Sequence, residues 1–138
     1  MKKITLNSDK ENLTVLNDFM NDYLKDYEIS HKIIIQLELA VEEIFVNICS
    51  YAFDSANENI CVCFDVLQNP LTLQITFEDS GKPYNPLMRS DPDITLDAEK
   101  RKVGGLGVFI VKQVMDDCDY KFENSKNIFT VKKRLISD

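Results

Sequence analysis

The stretch Leu71-Thr72-Leu73-Gln74-Ile75-Thr76-Phe77-Glu78-Asp79-Ser80-Gly81 alternates apolar and polar residues strictly until it reaches a carboxylate and a glycine. Period-two alternation marks a strand with one covered face. Leu71, Leu73, Ile75 and Phe77 share that face, and Asp79 keeps their parity, so it is expected to point inward where the strand ends. Residues 59–66 alternate in the same way, with Ile60, Val62, Phe64 and Val66 on one side and Cys61, Cys63 and Asp65 on the other. Gln68-Asn69-Pro70 supplies the turn between the two runs. An antiparallel hairpin with one covered and one more polar face follows.

Upstream, residues 3–7 alternate weakly and suggest a first strand. Ser8 or Asp9 suits an N-cap, and Leu13, Leu16, Met20, Tyr23 and Leu24 recur at helical spacing, so a helix is expected over residues 9–26. Ser30 suits the N-cap of a longer helix over about residues 31–53. Its main stripe is Ile33, Leu37, Ala40, Val41, Ile44, Ile48 and Ala52. Ile35, Leu39, Val46 and Cys49 lie off that stripe, so this helix is expected to be central, touching the sheet and other helices. On a helical wheel Glu43 and Asn47 fall together on one margin, and Glu42 falls on the opposite side.

Downstream, residues 83–103 carry Pro83, Pro86, Pro92 and many charges. A connection of that length in a compact domain is usually a lid or binding loop. Residues 107–117 read as a third helix, and residues 120–123 and 127–135 as a closing hairpin around Asn124-Ser125-Lys126. The order β-α-α-β-β-lid-α-β-β implies an α+β, two-layer sandwich: a mostly antiparallel sheet with helices on one face. The whole chain, 1–138, is expected as one domain, with the lid over roughly 86–103.

Composition narrows the classes. Apolar residues are 44% and charged residues 28% of the 138, an ordinary globular balance. The net charge of −7 argues against a nucleic-acid binder, which would carry a basic stripe. Cys49, Cys61, Cys63 and Cys118 form no C-x-x-C pair, and His31 is the single histidine, so a zinc site is disfavoured and a reducing, cytoplasmic setting is expected. The N-terminus is too short and polar for a signal peptide. No apolar run approaches the ~18 residues of a membrane span.

Three segments carry chemistry. Asp79 faces a covered site, and a buried carboxylate needs a hydrogen-bond donor, for which an adenine amino group is suitable. Gly81 would let a flat base approach the backbone, and Pro83 stiffens the exit. Glu43 and Asn47, one helical turn apart, pair a carboxylate with a hard oxygen ligand. That suits Mg²⁺, which keeps waters and phosphate oxygens, beside a group able to orient or deprotonate a nucleophile. Gly104-Gly105-Leu106-Gly107 opens a helix, where free N–H groups and the helix dipole bind phosphate. Taken singly, the three also read as a strand-end turn, a polar helix margin and a glycine hinge. Together they place all four glycines of the chain in two loops and suggest one nucleotide pocket. The third segment is neither a P-loop nor a Rossmann fingerprint, since no Gly-Lys-Ser/Thr follows and no strand runs straight into it.

In this order the segments resemble the N, G1 and G2 boxes of the GHKL ATPase superfamily, the Bergerat-fold group of gyrase, the ninety-kilodalton chaperone, histidine kinases and mismatch-repair ATPases. Asp79-Ser80-Gly81-Lys82-Pro83-Tyr84-Asn85-Pro86 and Arg101-Lys102-Val103-Gly104-Gly105-Leu106-Gly107-Val108 are similar to one branch, the anti-sigma factor serine/threonine protein kinases. The resemblance implies a histidine-kinase-like ATPase fold, ATP and Mg²⁺ as cofactors, and phosphorylation of a serine on a small, STAS-type antagonist, with a sigma factor as a further partner. It also implies that homodimers are common. It assigns Glu43 as general base, Asn47 as Mg²⁺ ligand and Asp79 as adenine reader. Gly81 and Pro83 flank the base, and Gly104, Gly105, Leu106, Gly107 and Val108 form the phosphate loop.

The departures from the pattern are specific. Val103 stands where some members place a lid arginine directly before the glycine box, so Arg101 or Lys102 would have to reach the phosphate; Arg101 is the catalytic candidate. Tyr51 stands where many relatives have histidine, and Thr130 is the candidate for a terminal-strand threonine that supports adenine. Two other readings are weighed beside the kinase. One is a nucleotide-gated module that sequesters a sigma factor without kinase activity, motivated by Val103. The other is a histidine kinase, disfavoured because His31 lies at a helix start within the catalytic domain itself.

Overall fold

A computed structural model describes residues 1–53, 58–88 and 105–136. Strand β1 (Lys2–Asn7) leads through a 3-10 turn (Lys10–Asn12) into helix α1 (Leu13–Leu24), and helix α2 (His31–Tyr51) follows. The hairpin β2 (Asn59–Leu67) and β3 (Thr72–Asp79) comes next, then a 3-10 turn (Pro86–Met88), helix α3 (Gly105–Val114) and the hairpin β4 (Asp117–Glu123) and β5 (Lys126–Arg134). The five strands form one sheet in the order β1-β2-β3-β5-β4. Every ladder in it is antiparallel, which agrees with the α+β architecture expected.

Local chemistry explains the starts. Asp9 accepts a hydrogen bond from the Glu11 N–H at 2.9 Å, so it caps the 3-10 turn, and α1 begins four residues after the expected start. Ser30 Oγ accepts from the Ile33 N–H at 3.3 Å and caps α2 as the sequence suggests. In the last hairpin Asn124 and Ser125 both take positive φ, 55° and 62°, the backbone of a two-residue turn matched to strand twist.

Strand parity sets the core. Ile60, Val62 and Phe64 of β2, Leu73, Ile75 and Phe77 of β3, and Phe129 and Val131 of β5 are buried on one face. Six stripe residues of α2, and the seventh, Ala52, at its C-cap, are buried in the same core, and so is Phe45. Phe19 and Tyr23 of α1 pack on Phe64 at ring distances of 5.7 and 6.5 Å, and the Tyr23 hydroxyl accepts from the Val66 N–H. Val111 of α3 completes the layer. Burying a side chain of this size contributes about 1.5–3 kcal/mol each.

Helix α3 runs over Gly105–Val114 rather than 107–117, and β4 starts at Asp117 rather than 120. The cause is the sheet: Asp117 and Cys118 pair with Lys132 and Val131, and the Asp116 N–H donates to the Lys132 carbonyl at 2.8 Å. Extended pairing there ends the helix three residues early. Among the described residues no helix is long and apolar enough to cross a membrane.

Candidate functional site

Asp79 ends β3 with the parity of Phe77 and is 4% exposed. Its Oδ1 accepts from the Gly81 N–H and from Asn127 Nδ2, both at 2.9 Å. Burial raises its pKa above the usual carboxylate value, and these two hydrogen bonds partly offset the rise. The loop after it docks on the end of α2: the Lys82 N–H donates to the Ala52 carbonyl at 3.0 Å. A side-chain carbon added to Gly81 would collide with that same carbonyl oxygen. Glycine here therefore lets the loop backbone meet the helix end, a reason independent of any bound base.

Asn127, which sequence reasoning did not single out, is the junction of the site. It is 3% exposed and pairs with Asp79 across the β3–β5 ladder. Its Nδ2 donates to Asp79 Oδ1 and, at 2.9 Å, to the Lys82 carbonyl. Its Oδ1 accepts from the Tyr84 N–H at 2.9 Å and from the Tyr120 hydroxyl. The signal available in sequence was its parity with Phe129 and Val131. Thr130 has the opposite parity: it pairs with Thr76, and the two hydroxyls meet at 3.4 Å on the outer face. Thr130 therefore does not share the face of Asp79, whereas Asn127 does. Replacing Asn127 with alanine orphans buried polar groups, each costing about 1–3 kcal/mol. A clear drop in the denaturant midpoint of the Asn127→Ala protein is expected, and an unchanged midpoint would contradict the junction role.

On α2, Asn47 is 3% exposed and Glu43 is half-buried. Asn47 Nδ2 donates to the Glu43 carbonyl at 2.6 Å, and Asn47 Oδ1 accepts from the Tyr84 hydroxyl at 3.5 Å. The Tyr84 ring stacks on Tyr51 at 5.6 Å and 26°. Glu43 has its pKa raised, chiefly by burial and then by the neighbouring charge of Glu42. The first turn of α3 lies directly against it: a side-chain carbon at the buried Gly107 would run into Glu43 Oε2.

Contacts thus run from Asp79 through Asn127, Tyr84 and Asn47 to Glu43 and Gly107. Pro83 is exposed in the connecting loop, and Pro86 is buried beside Asn47, Ile44, Val111 and Phe129 around a small apolar cavity. Gly105, Leu106 and Val108 belong to the first turn of α3. Arg101, Val103, Gly104 and the lid beyond residue 88 lie outside the described residues. No group of three or more His, Cys, Asp or Glu among the described residues could hold a metal ion. A cation here would take Asn47 Oδ1 plus ligand and water oxygens, a donor set that fits Mg²⁺.

Comparison with known proteins places these features. The histidine kinase-like ATPase domain family matches residues 6–133. Serine-protein kinase RsbW of Listeria monocytogenes serovar 1/2a is 26% identical over 108 residues, covering 75% of this chain and 68% of that protein. The RsbW of Listeria innocua is 25% identical over the same share. Among solved structures, the RsbU and RsbW domains of Rv1364c from Mycobacterium tuberculosis superpose with a TM-score of 0.66 at 12% identity, covering 100% of this chain and 34% of that one. The histidine kinase domain of the blue-light activated kinase EL346 from Erythrobacter litoralis gives 0.54 at 19% identity, covering 91% and 60%. The chain thus spans about a third and three-fifths of those two solved chains, whose likeness concerns the fold. With the family match covering residues 6–133, the chain belongs to the histidine kinase-like ATPase domain family, and its relatives lie in the anti-sigma kinase branch of the GHKL superfamily.

Proposed function

We propose that this protein is a Mg²⁺-ATP-dependent serine/threonine protein kinase of anti-sigma regulation, acting in the cytoplasm on a small STAS-type antagonist, with a sigma factor as second partner. The observation that carries the reading is the unbroken contact path from Asp79 to Gly107. It joins a carboxylate suited to an adenine amino group with a carbonyl oxygen suited to Mg²⁺ and a carboxylate suited to proton transfer.

Each residue then has one task. Asp79 accepts from the adenine amino group, held in place by Asn127. Asn47 Oδ1 would hold Mg²⁺, which would supply charge neutralisation on the phosphates. The N–H groups at the start of α3, from Gly105 to Gly107, face the phosphates, as helix N-termini do. Glu43 takes the proton of the acceptor serine hydroxyl, and its raised pKa makes it a stronger base than an ordinary glutamate. Arg101 is the sequence candidate for neutralising charge on the transferred phosphoryl. Such transfer depends on positioning and electrostatics more than on covalent chemistry.

The test is incubation of the purified chain with γ-labelled ATP, Mg²⁺ and a STAS-type antagonist bearing an acceptor serine. Mg²⁺-dependent label on that serine is expected. Absence of any adenine-nucleotide binding by calorimetry would overturn the proposal. Binding without label transfer would favour the second reading, a nucleotide-gated sigma-sequestering module, which Val103 in the usual arginine place supports.

A further inference from the structure

Tyr84 bridges the two halves of the site, and its hydroxyl meets the same Asn47 oxygen to which the reading above assigns the cation. Asn47 has a single side-chain oxygen, and its nitrogen is committed to the Glu43 carbonyl at 2.6 Å. The oxygen is therefore the atom that meets the Tyr84 hydroxyl at 3.5 Å. A hydroxyl hydrogen aimed at that oxygen puts positive partial charge where a coordinated cation would sit.

The tyrosine is held in this pose from three sides. Its ring stacks on Tyr51, one turn beyond Asn47 on α2. Its backbone N–H is fixed by Asn127 Oδ1 at 2.9 Å. Pro83 and Pro86 restrict the chain on both sides of it. Moving the hydroxyl away from Asn47 therefore means disturbing the ring stack as well.

We infer that the Tyr84 hydroxyl is a latch on Asn47 Oδ1 that lowers this chain's affinity for the divalent cation, which enters by displacing it. Tyr84 is in this sense a positioning residue, setting metal affinity without touching the transferred group. The inference rests on the nucleotide-site reading above and adds a residue to it.

The test titrates Mg²⁺ against a fixed concentration of fluorescent ADP bound to the whole chain, for wild type, Tyr84→Phe and Tyr51→Leu. Phenylalanine keeps the ring and its stack, so folding is preserved. A contact of 3.5 Å is long for an O–H···O bond, so losing it changes the equilibrium by about two- to threefold, the low end for a neutral hydrogen bond. The Mg²⁺ midpoint should fall by that factor in Tyr84→Phe, each titration being referred to the same protein's nucleotide affinity in EDTA. Tyr51→Leu, which removes the stack, should shift the midpoint in the same direction. The titration is repeated with Mn²⁺ alone and read by its paramagnetic resonance, so that no turnover is needed. A midpoint unchanged or raised in Tyr84→Phe overturns the latch and leaves the nucleotide site standing. No Mg²⁺-dependent nucleotide binding in wild type overturns both.

Discussion

Replacing Glu43 with alanine is expected to reduce phosphoryl transfer to the antagonist by about 10²–10⁴-fold, the range typical of losing a positioned general base, while nucleotide affinity changes little. The separation follows from geometry. Glu43 meets α3 at Gly107, whereas the contacts that would read the base are those of Asp79 and Asn127, at the other end of the path. Glu43→Gln should behave like alanine, because shape without basicity does not move a proton. In wild type, transfer should fall as pH drops through the pKa of Glu43, which burial places above the usual glutamate value. Removing the charge in Glu42→Gln should move that acidic limb to lower pH, since Glu42 raises the pKa. Initial rates with labelled ATP across pH check both statements. Unchanged phosphorylation in Glu43→Ala would remove the base from the proposal and leave the binding site intact.

The parts of the fold that depend on periodicity were legible in the sequence. The alternation from 71 to 79 places Asp79 inward, and the wheel of α2 names all seven stripe residues that are buried. What was not legible depends on partners far away in sequence. Asn127 sits in a run where Ile128, Phe129 and Val131 offer apolar residues of both parities, and only the pairing Phe77 with Phe129 fixes which face is covered. That pairing puts Asn127 on Asp79 and turns Thr130 outward. Gly81 suggested room for a ligand, but the atom it makes room for here is the carbonyl of Ala52, at the end of α2. The stack of Tyr51 on Tyr84 joins a helix end to a loop that no local pattern connects. The early end of α3 follows from sheet pairing that overrides helical spacing.

Asp79→Asn should separate binding from stability, with opposite signs. Hydrogen bonds to charged groups contribute about 1.5–3 kcal/mol, so adenine-nucleotide affinity is expected to fall by about one to two orders of magnitude. Stability should not fall with it. The folded pKa of Asp79 is raised because burial disfavours its charge, with Glu78 adding to the rise and the hydrogen bonds from Asn127 and Gly81 opposing it. A carboxyl whose folded pKa exceeds its unfolded one favours folding below the unfolded value, and that contribution is lost as pH rises through the folded value. At neutral pH the ionised Asp79 therefore opposes folding, and the uncharged asparagine, whose oxygen can still accept from Gly81 and Asn127, does not. Thermal midpoints should be equal or higher in Asp79→Asn at pH 7, and the difference should shrink as pH falls toward the ordinary carboxylate range. Wild-type nucleotide affinity should decline over that same window, as Asp79 takes up its proton, while the affinity of the variant stays low and flat. A variant that is both less stable at pH 7 and unimpaired in binding would mean that Asp79 is a structural turn residue, held by Asn127 for the loop alone.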